Sequence, residues 1–212
     1  MSFLLPVLMI LILLACIGVL YAEGLWSNAI RLVNVTTAGL LAMNFWEPLA
    51  RWLEGLGDFF ASCTYFWDYI SLWVVFAVSL IVMRVLTNMI SRVKVRFLKI
   101  VDQVGSVFFG ACVGWVMVCF IMTTLHTAPL AKNFMGGGFD PSRRMVLGLG
   151  PDRQWLGFTQ QVSKGSFAWP EPSVFDADNQ FMARYNNRRG ALENYRQEKM
   201  AFRVAAGDAP KR

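Results

Sequence analysis

From Phe3 to Tyr21 the chain carries no charged side chain and is almost wholly Leu, Ile, Val and Met. A helix needs about 20 such residues to cross the roughly 30 Å of hydrocarbon in a bilayer, so this run reads as a membrane span. No basic segment precedes it, and Tyr21-Ala22-Glu23-Gly24 stands where a small-x-small cleavage site would lie. It therefore reads as a retained anchor, not a removed signal peptide. Gln103 to Leu125 is the second run without a charge.

Composition agrees with a lipid solvent. Hydrophobic residues make up 56% of the 212 and charged residues 16%, against about 45–50% and about 25% in soluble domains. Charge is also uneven: residues 126–212 hold thirteen of the twenty Lys and Arg and eight of the fourteen Asp and Glu, which places +5 of the +6 net charge in the tail.

Two further spans are expected. The region 28–47 is interrupted by Arg31, Asn34, Thr36, Thr37 and Asn44 and closed by Glu47-Pro48. Arg31, Asn34 and Ala38 recur at helical spacing, so one polar face should look at protein. Arg31 then either snorkels to the interface or pairs with Glu23 across the short connection. The region 67–86 has an uncharged centre with Arg84 near its exit. Between 49 and 64, aromatics, charge and glycine alternate without spanning length, as in an interfacial segment. The fold class is an all-α integral membrane protein: spans over 3–21, 28–47, 67–86 and 103–125 form a domain of residues 1–125. A mostly helical or irregular extramembrane tail, basic and aromatic-rich, follows over 126–212.

The loop before the last span gathers Arg92, Lys94, Arg96 and Lys99, with Arg84 beside it and Asp102 as its acid. Basic loops are retained in the cytoplasm. That choice puts six basic residues inside, Arg31 among them, and leaves Arg51, Lys132, Arg143 and Arg144 outside. Both termini then lie outside the cytoplasm.

In the last span Ser106, Gly110 and Gly114 recur every fourth residue. Small residues at that spacing make a groove that admits a second helix backbone, of this chain or another copy. Asp102 reads as a helix cap or, alternatively, as an ion site at membrane depth. In the tail, Gly136-Gly137-Gly138 lacks the Lys-Ser/Thr of a phosphate loop and reads as a linker. Pro151 to Ser163 and 177–204 read as helices. Cys16, Cys112 and Cys119 fall in apolar runs, and His126 is the sole histidine. That inventory offers neither a Cys/His metal site nor a signature of an activated nucleophile. No catalytic residue, metal or cofactor is expected, and Glu193 and Glu198 offset Arg188 and Arg189 enough to argue against nucleic acid. The expected partners are the lipid bilayer, further copies of the chain, and an envelope protein docking on the tail.

The turn Tyr21-Ala22-Glu23-Gly24-Leu25-Trp26 after the first span, and Ile100-Val101-Asp102-Gln103-Val104-Gly105-Ser106-Val107-Phe108-Phe109-Gly110 opening the last, resemble the colicin V production protein family over about residues 1–125. Glu23 stands where that family usually has a basic residue. The resemblance implies a bacterial inner-membrane protein, an accessory or assembly factor in toxin production or export or in envelope maintenance, with no agreed catalytic residues. Polar residues Arg31 and Asn34 keep a second class open, a small oligomeric transporter or channel.

Overall fold

The computed structural model describes residues 4–56, 64–90, 98–130, 148–165 and 174–207. All regular structure among them is helical: α1 (Leu4–Leu20), a 3₁₀ turn (Tyr21–Glu23), α2 (Leu25–Glu54), α3 (Thr64–Ile90), α4 (Lys99–Thr127), α5 (Pro151–Lys164) and α6 (Phe181–Gly207). Pro6 lies in the first turn of α1, where its missing N–H has no intrahelical partner to lose.

Among the described residues three helices, α1 with its 3₁₀ turn, α3 and α4, are long and apolar enough to cross a membrane. The expectation of four spans is thus met for three. α2 is the longest helix at 30 residues, but Arg31, Asn34, Asn44, Glu47 and Arg51 lower its apolarity below theirs.

Packing places α2 against α3 and α4, and α1 against α4. The α2–α3 and α1–α4 pairs are antiparallel, while α2 and α4 run parallel, Leu25 and Asn28 meeting Asp102 and Ser106 at their N-terminal ends. Asn34, early in α2, bonds to Thr87, late in α3, and Leu5 and Met9 of α1 cluster with Val118 and Met122 of α4. The main core joins Trp46 of α2, Leu72 and Phe76 of α3 and Phe120 of α4. Phe76 and Phe120 stack at 4.4 Å between ring centroids. Outward faces are apolar too, with Ile10, Leu11, Leu14, Val78, Ile81, Val104 and Phe108 all exposed. So much exposed apolar surface is unusual for a protein in water and is what a lipid-facing bundle presents.

α2 does not stop at Glu47-Pro48 but continues to Glu54. Proline removes one backbone bond, yet Trp46 and Ala50 are both buried, and Arg51 pairs with Glu47 across the proline at 3.2 Å. Burial on either side outweighs the local break. The aromatic tail packs onto the bundle: Trp155 of α5 and Phe181 and Tyr185 of α6 belong to the same core as Trp46 and Phe120. α6 begins at Phe181, later than 177, because Asp176 Oδ1 accepts the backbone N–H groups of Gln180 and Phe181 and holds the preceding residues in a turn.

Candidate functional site

At the α1–α2 turn, Gly24 has φ +86°, a conformation that side-chain-bearing residues rarely adopt. The Asp102 carboxylate lies against it, 3.2 Å from where a Cβ would stand. Asp102 Oδ1 accepts the Leu25 N–H at 2.9 Å. Asp102 is therefore a cap, but of α2; its own helix starts at Lys99 with no side-chain cap. Gly105 leaves room for Leu25, whose Cδ1 would lie 2.0 Å from an added Cβ. One turn on, Asn28 donates to the Leu20 carbonyl and to Ser106 Oγ, both at 2.8 Å, and the Ser106 hydroxyl lies 3.1 and 3.0 Å from the Leu20 and Tyr21 carbonyls. These carbonyls belong to the end of α1 and the 3₁₀ turn that follows it, so α4 and α2 add side-chain bonds where the α-helical ladder stops. Gly110 and Gly114 continue the same face, with Ile17 and Leu20 over the first and Leu13 and Cys16 over the second. The partner helix of the small-residue face is α1 of the same chain.

Beside this clamp lies a cavity of about 1040 Å³, walled by the C-terminal half of α1, the first turns of α2 and the last turns of α3, with Val113 of α4 among its lining residues. Arg31 and Asn34 both line it. Arg31 pairs with Glu23 at 2.5 Å. Asn34 is 4% exposed; its amide N–H donates to Thr87 Oγ1 at 3.0 Å, while its Oδ1 is buried without a hydrogen-bond partner among the described residues. Arg84 and Asn88 of α3 and Trp26 of α2 complete the polar part of the wall. Of the basic-loop residues, Lys99 starts α4, and Arg92, Lys94 and Arg96 lie outside the described residues, as do Cys63 and Gly136-Gly137-Gly138.

The opposite end of the bundle is closed by the tail. Trp155 reaches Gly39 of α2, where an added Cβ would stand 2.6 Å from the indole, and meets Phe120 edge-on at 5.9 Å. His126 Nε2 lies 3.1 Å from Asp152 Oδ2, both side chains 3% exposed. Arg189 donates to the Leu125 and His126 carbonyls at 2.7 and 3.1 Å, capping the C-terminus of α4 as a cation should. Burial lowers its pKa to about 10, which leaves it charged at neutral pH. Asp68 at the start of α3 accepts from Arg188 and from the Tyr185 hydroxyl. Desolvation and then the Asp68 charge raise the Tyr185 pKa, so Tyr185 remains the donor. The space beside His126 is about 10 Å³, barely one water, and among the described residues no three His, Cys, Asp or Glu side chains converge. These polar groups join helices to one another.

The sequence reading missed Asn28, Asp68, Asp152 and Arg189. Asn28 and Asp68 carried a signal, each being a polar residue beside an apolar run. Asp152 and Arg189 did not, because each sits among polar residues of the tail, where one more charge does not stand out.

The family model described as Colicin V production protein matches residues 5–138. The match takes in the clamp, the cavity and α1 to α4, and ends before α5. No curated protein and no solved structure matches the chain.

Proposed function

The chain belongs to the colicin V production protein family, and from that premise we propose that it is a non-enzymatic accessory or assembly factor of the bacterial inner membrane, serving toxin production or export or the upkeep of the envelope. In this reading α2 crosses the bilayer with α1, α3 and α4, and both termini lie outside the cytoplasm. The observation that supports it best is the tail: α5 and α6 share the bundle's core and turn an ordered polar face outward, with Arg153, Gln161 and Lys164 exposed. Such a face suits docking of an envelope protein.

A strain lacking the gene tests this. The full chain should restore toxin output or envelope-stress tolerance, and Arg153→Glu with Gln161→Glu should not, although the variant accumulates normally because neither residue is buried. Full rescue by that variant and by a chain ending at Leu130 would remove the docking role. The second reading, a small oligomeric transporter or channel, is favoured by the cavity with Arg31 and Asn34 in its wall. It would then be the better one, with those two residues the first to substitute.

A further inference from the structure

α1 packs on α4 and α3 on α2, with no extensive packing of α1 on α3 among the described residues. The cavity of about 1040 Å³ lies in the gap. Along α3 its wall runs from Asn88 to Leu80, and α3 ends at Ile90. At 1.5 Å per residue the cavity therefore reaches about 15 Å inward from that end, half of the roughly 30 Å hydrocarbon core. One helical turn beyond Leu80, Phe76 stacks on Phe120 of α4 and both are buried, so aromatic packing closes the bundle below.

Polar groups continue down one side of this space. Glu23 and Arg31, near the turn, pair with each other and cancel. Deeper, Asn34 donates to Thr87 Oγ1, and Arg84 stands nearly one turn beyond Thr87, about 9 Å inside the end of α3. Arg84 and Asn88 are four residues apart, share a face of α3, are both exposed and both line the cavity. Ala15 and Cys16 of α1 and Val113 of α4 give other parts of the lining an apolar character. Charged residues within membrane spans face the bundle interior or a water-filled cavity. Arg84 makes no ion pair with a described residue, so the cavity holds one uncompensated positive charge below the headgroup level.

We propose that this cavity is a water-filled vestibule that binds one small organic anion, a carboxylate or sulfonate with a short apolar body. The anionic group takes the Arg84 guanidinium and the Asn88 amide N–H, and the body lies against Ala15, Cys16 and Val113. The site requires binding and not passage, so it stands under either reading of the function.

Cys16 is half-buried and lines the cavity. It serves as the reporter in a full chain whose other three cysteines are replaced by alanine, held in phosphatidylcholine nanodiscs. Two methanethiosulfonates of similar size are applied, one ending in a sulfonate and one in a trimethylammonium, and each rate is divided by its rate with a free thiol. The sulfonate should react faster, on the order of fivefold for one unit charge across a watery gap. Arg84→Gln should bring the ratio near one, and Arg84→Lys should keep it; Arg84 is exposed, so neither change disturbs packing. A large excess of butyrate should slow both reagents, and tetramethylammonium neither. Ala15→Cys, also in the wall, should repeat the result, whereas Leu14→Cys, on the exposed face of α1, should react with neither reagent. Silence at both Cys16 and Ala15→Cys, with labelling once the chain is unfolded, would mean that lipid or side chains fill the cavity and would overturn the proposal. So would equal rates for the two reagents, a ratio indifferent to Arg84→Gln, no protection by butyrate, or Leu14→Cys reacting as Cys16 does.

Discussion

Gly24 and Asp102 join α2 to α4, and they do so for complementary reasons. Glycine supplies a backbone conformation that L side chains avoid, and the carboxylate occupies the space a Cβ would need while satisfying the first free N–H of α2. Gly24→Ala should cost roughly 1–3 kcal/mol through backbone strain alone. Asp102→Ala should cost about 0.5–2 kcal/mol, the range for a lost helix cap. Asp102→Asn, which keeps an acceptor oxygen, should lie closer to the native chain. Unfolding in detergent measures all three, and a native-like Asp102→Ala would mean the contact does not hold the turn. If Asp102 were a proton or ion site, Asp102→Asn would instead abolish activity at unchanged stability. The sequence singled out Asp102 as the acid opening an apolar run, but its bonding partner lies 77 positions away as a backbone N–H and leaves no mark in side-chain spacing. Arg31 was easier to read, because Glu23 lies only one short turn from it.

Among the helices, legibility follows where the stabilising contacts lie. α1 and α4 are visible as uncharged runs because lipid, their solvent, selects composition residue by residue. The continuation of α2 through Pro48 is not visible: the proline signal is local, whereas the burial of Trp46 and Ala50 is tertiary. The docking of α5 depends on a gap at Gly39 into which Trp155 fits, and neither residue announces the other. Trp155→Ala should cost about 3–5 kcal/mol, as buried aromatics do, and Gly39→Leu should release α5 equally by filling its place. Hydrogen exchange over α5 should rise in both variants while α1 stays protected; exchange unchanged in Gly39→Leu would remove the close contact. At the other interface, Gly114→Leu should separate α1 from α4 and lower the amount of protein in the membrane, because Cys16 Cβ lies 3.2 Å from an added Cβ there. Val104→Leu, at an exposed position of the same helix, should change little. Equal loss in both would mean the helix tolerates no added bulk anywhere, and the glycine face would carry no special packing.

At the scale of the whole molecule, the ends of the bundle differ in construction. The turn end is built from residues within the family match and bears the groove; the far end is built from α5 and α6, beyond residue 138 where the match stops. The antiparallel order of α1 to α4 brings the Gly24 turn and the start of α4 to one end and the tail to the other. If α2 crosses the membrane with its three neighbours, Ser2 and Asp178 share one side and Lys94 faces the other. Single cysteines at these three positions, in a background without the native four, can be treated with a membrane-impermeant thiol reagent before and after the inner membrane is opened. Ser2→Cys and Asp178→Cys should label in cells whose inner membrane is intact, and Lys94→Cys only once it is opened. Ser2→Cys and Asp178→Cys labelling from opposite sides would mean three crossings, and α2 would then lie outside the bilayer.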